Sequence, residues 1–383
     1  GDHRDLHSFP TRRSSDLLGH NAHRFSLEWS RFEPKPNQWD ETAFRHYEEV
    51  FRALRGKNIE PFVTLHHFTH PQWFIEQGGW LSPDAVDRYL RYVERVVRAY
   101  GAYVRFWFTI NEPMIYLYHA YMAGLWPPGW KSKESAIKVF RNLVTAHLRA
   151  YHLIHELYRK EFKKEVCVSF AQYLLYFAPC RPRSPLDRLT VWIRDWFLNE
   201  LFVDAVMTGN LFFPGLFREK LPFRKAMDFI GLNYYSVDFI RFAGFWGEKM
   251  FGQICESDHH DAQIGGKNTM GWKIYPEGLR QMLRKFAKYR LPIIISENGI
   301  CAQNDEQRAK FIEDHVGVVT DIKKEGIPVQ GYFYWSLLDN FEWAHGFGPR
   351  FGIVEVDYAT QQRKVRRSAY VLSEMCRKID NHE

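Results

Sequence analysis

Two glutamates in short polar motifs are the residues of this chain best suited to do chemistry. Glu112 lies in "TINEP" and Glu297 in "ISENG", and each stands next to an asparagine. Two carboxylates brought together can act as an acid and a nucleophile, because different surroundings separate their pKa values. Hydrolysis of glycosides requires such a pair, about 5 Å apart for retention of anomeric configuration and roughly 6.5 to 9.5 Å apart for inversion. The sequence sets no distance, so both stereochemical outcomes stay open here.

Each glutamate also lies at the end of a stretch that is typical of a buried β-strand. "RFWFTIN" runs directly into Glu112, and "PIIISEN" contains Glu297. Taken singly, either residue could equally be a helix-cap neighbour or a salt-bridge partner. The pair is a stronger signal because aromatic residues make up 17% of the chain, and the apolar faces of sugars pack on aromatic rings.

The elements that would position these residues alternate between strands and helices. Near-continuous apolar runs predict parallel strands that are covered on both faces, and amphipathic segments between them predict helices, such as "ETAFRHYEEVFRALRGK", "SPDAVDRYLRYVERVVRAYG", "SAIKVFRNLVTAHLRAYHLIHELYRK" and "DEQRAKFIEDHVGVVTDIKKEG". The strand candidates are 23–29, 61–67, 105–111, 166–173, 228–235, 292–298 and 331–337. This pattern predicts an α/β fold, a (β/α)8 TIM barrel in which seven of eight strands are recognisable.

A TIM barrel binds its substrate where the strands end, and the polar residues of this chain fall there. They are His66, His67, Asn111, Glu112, Asn233, Tyr235, Glu297 and Asn298. The alternative fold, a doubly wound open sheet, usually carries a glycine-rich first turn. The sequence contains no G-x-G-x-x-G motif, which favours the barrel.

The opening residues do not fit this pattern. Residues 1–17 are polar and rich in Arg and Ser without a strand period, so we expect a non-native or disordered tail, followed by a single domain over residues 18–383. The first strand and helix of a barrel are then missing, and we expect an N-terminally truncated barrel with unpaired strand edges.

Composition narrows the class of protein. No run approaches the ~18 to 20 apolar residues of a membrane span, and no signal peptide is recognisable, which predicts a cytoplasmic protein. The five cysteines are scattered without a C-x-x-C pair, which argues against a disulfide framework and a zinc site; they are Cys167, Cys180, Cys255, Cys301 and Cys376. The net charge of +7 comes from Lys and Arg mixed with acids along helices, which argues against nucleic-acid binding.

From about Leu18 onward, eight motifs in order resemble glycoside hydrolase family 1, the retaining β-glucosidases and β-galactosidases. The motifs are "HRFSLEWSR", "VTLHHF…P", "GGW", "FTINEP", "DFIGLNYY", "GW.IYPEGL", "ISENG" and "GYFYWSLLDNFEW…RFG". The resemblance implies a retaining β-glycosidase that acts on unphosphorylated β-linked glucosides or galactosides through a covalent glycosyl-enzyme. It implies no cofactor and no metal; the expected partner is a small-molecule or oligosaccharide β-glycoside, while the oligomeric state stays open.

The resemblance also implies roles for individual residues. Glu112 matches the family's acid/base and Glu297 its nucleophile, while Asn111 matches the residue that bonds the sugar 2-hydroxyl. Groups that support the nucleophile are matched by Arg24 of "HRFS" and by Asn233 and Tyr235 of "NYY". A nearby cation and a hydrogen bond favour the ionised form of a carboxylate.

Four further positions match the sugar-binding residues of the family. His67 matches the sugar-binding histidine, Trp335 the aromatic platform, Glu342 the carboxylate that grips the 4- and 6-hydroxyls, and Trp343 another hydroxyl contact. Family members that hydrolyse 6-phosphosugars carry a small polar residue in place of Glu342, because a second anion would repel the phosphate. The sequence therefore predicts unphosphorylated substrates.

Departures from the family pattern keep two alternatives open. The glutamine that ends the family's first strand and binds the 3- and 4-hydroxyls has no match, and Phe68 stands where many members have Trp. The chain could accordingly be an inactive or weakly folded fragment, or a carbohydrate-binding pseudo-enzyme. Pseudo-enzymes of this family typically lose one catalytic glutamate, and this chain keeps both.

The histidines of "HHFTH" raise the question of a metal site. His66, His67 and His70 follow one another along a strand end, a spacing that does not bring three imidazoles to one point. We expect a hydrogen-bonding role for His67 instead. The motif "WPPGW" predicts a rigid loop, in which Trp126 is a candidate contact for the aglycone.

Overall fold

The protein is described by a computed structural model that covers residues 18–213, 217–245 and 247–380. One sheet contains strands in the order β1-β2-β3-β4-β7-β9-β10, and a short strand, β8, pairs antiparallel with β7. The strands are β1 (Ala22–Ser26), β2 (Glu60–His66), β3 (Phe106–Asn111), β4 (Cys167–Pro179), β5 (Asn210–Phe213), β6 (Phe217–Lys220), β7 (Ile230–Arg241), β8 (Gln253–Ile254), β9 (Ile293–Asn298), β10 (Val329–Tyr334), β11 (Val354–Val356) and β12 (Arg363–Val365).

The seven predicted strands are therefore confirmed as β1, β2, β3, β4, β7, β9 and β10, although β1 and β10 end at Ser26 and Tyr334, before the predicted ends at 29 and 337. Strands β1 to β4 pair in parallel, as do β9 and β10. Among the described residues, β1 and β10 are the ends of the sheet order, with one neighbour each. Two small antiparallel pairs, β5 with β6 and β11 with β12, are additional to the prediction.

The helices lie between the strands, and the four predicted from amphipathic patterns are all present. They are α2 (Glu41–Arg55), α4 (Ala85–Tyr100), α6 (Lys133–Leu157) and α10 (Asp305–Lys324). Side chains of Asp40, Ser132 and Asn304 cap the first turns of α2, α6 and α10, as helix starts require. The remaining helices are α1 (Trp29–Phe32), α3 (Gln72–Glu76), α5 (Pro113–Leu117), α7 (Pro185–Asp195), α8 (Leu201–Thr208), α9 (Pro276–Phe286) and α11 (Arg367–Asp380).

One compact unit of the chain comprises residues Ala22–Tyr173 and Trp196–Asn233. Its helix α4 packs an aromatic stripe against the strands, and two tyrosines of that stripe bond to strand carbonyls. The Tyr89 hydroxyl donates to the carbonyl of Thr109 at 2.5 Å, and the Tyr92 hydroxyl donates to that of Leu65 at 3.1 Å. These bonds fix the final residues of β2 and β3, which precede His67 and Glu112.

A second compact unit comprises residues 18–21, Leu174–Asp195 and 234–380. In this unit the segment between β10 and β11 is fixed by Asp339, whose side chain is buried. Its carboxylate accepts hydrogen bonds from the Arg366 guanidinium at 2.9 Å and 3.0 Å and from the amide of Gly352 at 2.9 Å. A buried carboxylate with a cation and an amide donor keeps this loop, which carries Glu342, in one conformation.

Two expectations about the domain organisation stay predictions. The proposed tail, residues 1–17, lies outside the described residues, and the single domain over residues 18–383 stays a prediction. Within the described residues, no helix is both long and apolar enough to cross a bilayer. The α/β architecture of parallel strands and intervening helices is confirmed.

Candidate active site

Glu112 occupies an uncommon backbone conformation at the junction of β3 and α5. Its φ and ψ are 44° and 59°, in the left-handed region that side-chain-bearing residues rarely adopt. Its amide donates to the carbonyl of Ala171 in β4 at 2.8 Å, and its own carbonyl accepts from Ile115 at 3.0 Å. Pro113 follows at the first helical position, where its missing amide hydrogen costs no hydrogen bond. The strand therefore ends abruptly at a carboxylate whose backbone is held at both ends.

The carboxylate of Glu112 accepts a hydrogen bond from a neutral side chain. Asn233 of β7 donates through Nδ2 to Glu112 Oε1 at 2.7 Å and also approaches Asn111 Oδ1 at 3.2 Å. Asn233 and Asn111 are fully buried, and the Glu112 side chain is 7% exposed. Asn233 thus fixes the orientation of the Glu112 carboxyl group through one of its two oxygens.

Asn111 connects three polar groups of the same unit. Its Oδ1 accepts from the Arg24 guanidinium at 2.7 Å, and its Nδ2 lies 3.1 Å from Nε2 of His67. The Arg24 guanidinium also lies over the ring of Phe108, 4.8 Å from its centre. Because an amide nitrogen only donates, this contact makes His67 Nε2 an acceptor and assigns the ring proton to Nδ1.

His67 is held in its neutral form. Burial and, second, the positive charge of Arg24 lower the pKa of His67 well below its usual value. A neutral imidazole with its proton on Nδ1 can donate a hydrogen bond to a ligand hydroxyl. The other histidines of the motif lie elsewhere: His70 Nε2 contacts the Tyr116 hydroxyl at 2.9 Å, and His66 packs among aromatic rings that include Trp80.

Glu297 of β9 lies in the second unit, together with the tyrosine predicted to support it. The Tyr235 hydroxyl donates to Glu297 Oε2 at 2.7 Å, and both side chains are buried, with 8% and 5% exposed. The ring of Tyr235 contacts Trp272 at 5.7 Å between centres, which fixes its direction. The hydrogen bond from Tyr235 fixes the orientation of the Glu297 carboxyl group.

The residues after Glu297 join β9 to the end of β10. Asn298 donates through Nδ2 to the carbonyl of Tyr234 at 2.6 Å and accepts from the Tyr332 hydroxyl at 2.8 Å. Its carbonyl accepts from the amide of Trp335 at 3.0 Å. Gly299 comes so close to Trp335 that a Cβ there would lie 1.8 Å from the Trp335 carbonyl oxygen. The glycine of "ISENG" is therefore required by close backbone packing.

Glu342 and Trp335 form a second polar group within the same unit. The indole Nε1 of Trp335 donates to Glu342 Oε1 at 3.1 Å, and Glu342 is 9% exposed. Burial raises the pKa of Glu342 to about 7; the Trp335 hydrogen bond opposes this rise, and the charge of Glu297 adds to it. The influence of Glu297 indicates that the two carboxyl groups share one electrostatic environment. Trp343, which follows, begins a short helical turn, has a positive φ of 50° and is partly buried.

Aromatic rings extend from His67 in the first unit. Phe68 contacts the Trp126 ring at 4.8 Å, and Trp126 stacks on His119 at 4.6 Å and 22°. Trp126 is partly exposed in the "WPPGW" loop. Phe68 thus provides an apolar wall where many family members have Trp, and Trp126 stays a candidate aglycone contact.

The structure joins most of the residues predicted from the sequence in one network and two pairs. Arg24, His67, Asn111, Glu112 and Asn233 form one hydrogen-bonded network. Tyr235 bonds to Glu297, and Trp335 bonds to Glu342. The contacts described for Arg24 and Asn233 are with Asn111 and Glu112, and their support of the nucleophile stays a prediction.

Sequence reasoning did not single out two residues that this geometry adds. The sequence places Asn298 at a strand end without indicating a role for it, and no motif indicates Tyr332. The Tyr332 hydroxyl reaches Asn298 across neighbouring strands. Its position in "GYFYW" carries no local signal, because the contact depends on the register of β10 with β9.

Comparison with known proteins shows the family of this chain. Residues 13–381 match Glycosyl hydrolase family 1. Beta-glucosidase A of Thermotoga maritima is 31% identical over 380 residues, which is 93% of this chain and 82% of that protein. A beta-galactosidase of Pyrococcus woesei is 29% identical over 92% of this chain and 81% of that protein.

Solved structures share the same fold. A beta-glycosidase from Pyrococcus horikoshii superposes with a TM-score of 0.87 at 38% identity, covering 96% of this chain and 82% of that one. Beta-glucosidase from Thermotoga maritima in complex with glucoimidazole has a TM-score of 0.86 at 31% identity, covering 95% of this chain and 84% of that one.

The chain belongs to glycosyl hydrolase family 1. It is an enzyme of the retaining β-glycosidase class with a TIM-barrel fold, which confirms the family, fold and class of reaction expected from the sequence.

Proposed function

We propose that Glu112 is the acid/base and Glu297 the nucleophile in the hydrolysis of an unphosphorylated β-glycoside. One observation carries this proposal: each carboxylate is buried at a strand end and accepts a 2.7 Å hydrogen bond from a neutral donor, Asn233 or Tyr235. Each donor fixes the direction of its carboxyl group, and a reaction with a bound substrate requires such a fixed direction.

The reaction proceeds by two displacements. Protonated Glu112 gives its proton to the glycosidic oxygen while the Glu297 carboxylate attacks the anomeric carbon, so that the aglycone leaves and a glycosyl ester forms. Glu112, now ionised, takes a proton from water, and the water oxygen displaces Glu297 from the same carbon. Two inversions give net retention, and the reaction needs no cofactor.

The sugar is proposed to be held by the polar groups around these carboxylates. Asn111 is suited to bond the 2-hydroxyl, a contact that tightens in the transition state. His67, as a neutral donor, Trp335, Glu342 and Trp343 are proposed to hold the remaining hydroxyls and the sugar face. Support comes from relatives whose structures contain glucoimidazole and deoxynojirimycin, and the proposed ligand here is accordingly a small β-glycoside. A cytoplasmic location stays a prediction from the sequence.

Hydrolysis of aryl β-glycosides tests the two roles. We expect nitrophenol release from nitrophenyl β-glucoside, β-galactoside or β-fucoside, and a loss of at least about 10⁴-fold in Glu297→Gln. Glu313→Gln, which removes an exposed glutamate of α10, is the matched control and should retain activity. A folded but silent wild-type protein would favour the pseudo-enzyme, and a protein without a cooperative unfolding transition would favour the fragment.

The acid/base role has its own test. Glu112→Gln should lose about 10²- to 10⁴-fold on nitrophenyl glycosides. With a dinitrophenyl glycoside, whose leaving group needs no proton, the variant should give a rapid burst followed by slow turnover, because the ester forms but water is not activated. Peptide mapping should find the trapped sugar on Glu297; a sugar on any other residue contradicts the assignment.

Discrimination against phosphate tests the role of Glu342. A 6-phospho-beta-galactosidase of Staphylococcus epidermidis is 29% identical over 94% of this chain, so the preference requires measurement. Like charges brought together cost several kcal/mol, and we expect wild type to favour the unphosphorylated sugar by at least about 100-fold. Glu342→Ser should lower the ratio of activity on the unphosphorylated sugar to activity on the phosphorylated sugar. Equal activity of wild type on both sugars would contradict the proposal.

A further inference from the structure

Four metal-binding side chains lie together in the second unit, and none is used by the proposed reaction. They are Cys180, Cys255, His259 and His260, and their donor atoms all lie within 4.8 Å of one another. Both cysteines and His260 are buried, whereas His259 is exposed. Within the described residues, this is the group of potential metal ligands whose donor atoms lie so close together.

Backbone pairing with β7 places the two cysteines. Cys180 directly follows β4, and its amide donates to the carbonyl of Ile240 at 2.8 Å. Cys255 directly follows β8, and its amide donates to the carbonyl of Phe239, the preceding residue of β7, at 2.7 Å. Because both amides bond to consecutive carbonyls of one strand, the two thiols are brought together by the sheet itself.

The histidines come from the short helical turn Asp258–Gln263 that follows. The ring of His260 stacks on Phe239, with 3.7 Å between centres and 5° between planes. It is 2% exposed, and neither Nδ1 nor Nε2 has a hydrogen-bond partner. A buried imidazole without any polar partner is costly in a folded protein. The Nε2 atom of His259 lies 3.7 Å from the sulfur of Cys180.

We propose that Cys180, Cys255, His259 and His260 bind a zinc ion. Zinc with two cysteines and two histidines is tetrahedral, with bonds of about 2.3 Å to sulfur and 2.0 Å to nitrogen. These bonds place sulfur and nitrogen about 3.5 Å apart, close to the 3.7 Å between Cys180 and His259. Small inward rotations of the side chains complete the set, and one bond to zinc gives His260 the polar partner it otherwise lacks.

The donor set favours zinc over other metals. Two thiolates and two imidazoles in a closed tetrahedral arrangement suit zinc, whereas calcium and magnesium require oxygen ligands. Two thiolates also balance the charge of the divalent ion. Charged side chains of both signs lie nearby. Lys273 lies 3.9 Å from Glu256, and the helical turn that carries the histidines also contains Asp258 and Asp261.

The proposed role is structural. Three of the four ligands lie within "CESDHH", residues 255–260, and the fourth follows β4. Zinc would attach this segment, which contains little regular structure, to the end of β4. Four protein ligands leave no open position, in contrast to catalytic zinc sites.

Metal content tests the proposal directly. The protein is purified without a histidine tag, passed over a chelating resin and measured by plasma mass spectrometry. We expect about one zinc per chain, lost in Cys255→Ser and in His260→Ala but retained in Cys167→Ser, which removes a thiol outside the group. Zinc absent from the wild type, before and after incubation with zinc chloride, would overturn the proposal, as would equal zinc in all variants.

A second measurement does not depend on the folding of the variants. Wild-type protein that has been stripped of metal and then loaded with cobalt(II) should show thiolate charge-transfer and tetrahedral ligand-field absorption bands. Peptide mapping without reductant should find Cys180 and Cys255 as thiols. Absence of the cobalt bands, or a Cys180–Cys255 disulfide in the purified protein, would show that the group serves another purpose and would refute the zinc site.

Discussion

At the scale of single residues, the two candidate catalytic carboxylates have similar supports. Asn233 donates to Glu112 and Tyr235 donates to Glu297, each at 2.7 Å. Each donor is an uncharged group that orients the carboxylate that it bonds. Removing such a donor should affect the reaction more than the fold.

Tyr235→Phe is expected to lower kcat/KM by about 10- to 100-fold, since a hydrogen bond to a charged group contributes about 1.5 to 3 kcal/mol. The measurement is steady-state kinetics on an aryl β-glycoside, with urea unfolding to check stability. Tyr234→Phe is the matched control, because the Tyr234 hydroxyl donates to the backbone carbonyl of Tyr275 at 2.6 Å. It should lose about 1 kcal/mol of stability and keep its kcat/KM; equal kinetic losses would show a general packing effect.

Asn233→Ala should likewise leave a folded protein with reduced turnover. The loss of the 2.7 Å bond removes one group that orients the Glu112 carboxyl, and we expect kcat to fall by about 10-fold or more. Comparing nitrophenyl with dinitrophenyl substrates checks the cause. If both substrates lose equally in the first displacement, Asn233 does not act through proton transfer.

At the scale of elements, the candidate catalytic residues lie at strand ends. Glu112 directly follows β3, and Glu297 and Asn298 end β9, while Gly299 lets the next backbone segment approach Trp335. The glycine is therefore as specific a part of "ISENG" as the glutamate.

Gly299→Ala is expected to destabilise the protein by about 2 kcal/mol or more, because a Cβ would meet the Trp335 carbonyl oxygen at 1.8 Å. Gly317→Ala in α10 is the control, since a Cβ there meets nothing within 4 Å. Alanine in that helix should stabilise the protein by up to about 1 kcal/mol. Urea unfolding checks both, and unchanged stability of Gly299→Ala would contradict the close approach.

The elements also show what the sequence could predict. All seven apolar runs are strands and all four amphipathic segments are helices, because burial on two faces or on one stripe leaves a local pattern. The candidate carboxylates and their neighbours could be predicted because their sequence motifs lie at the ends of recognisable strands. The proposed zinc ligands could not be predicted in this way. Cys180 is distant in sequence from Cys255, His259 and His260, and it lies near them only because both cysteine segments pair with β7. Sequence spacing alone had argued against a zinc site.

At the scale of the whole molecule, a buried carboxyl group links stability to pH. Burial raises the pKa of Glu342 to about 7, compared with a usual value of 4.5. Between these values the folded protein keeps a proton that the unfolded chain releases, so the free energy of unfolding falls as pH rises. The stabilising contribution is fully present below about pH 4.5 and is lost as pH rises through about 7.

Glu342→Gln is expected to remove this dependence. Relative to wild type, the variant should gain on the order of 3 kcal/mol between pH 5 and pH 8, since one unit of pKa shift corresponds to about 1.4 kcal/mol. Urea unfolding of both proteins at the two pH values measures the difference, and Glu355→Gln, which removes an exposed glutamate of β11, is the control. Parallel pH profiles for wild type and Glu342→Gln would contradict the raised pKa.

The left-handed backbone of Glu112 has a consequence for making inactive forms of this enzyme. A residue with a side chain at φ 44° is held against its own conformational preference, at a cost on the order of 1 to 2 kcal/mol. Asparagine tolerates that conformation better than glutamate or glutamine does. Glu112→Asn should therefore be an inactive protein that is harder to unfold than Glu112→Gln, and the better choice for capturing an intact glycoside. In the absence of selection for turnover, replacement of Glu112 by asparagine would therefore be favoured, because it relieves the backbone strain at this position.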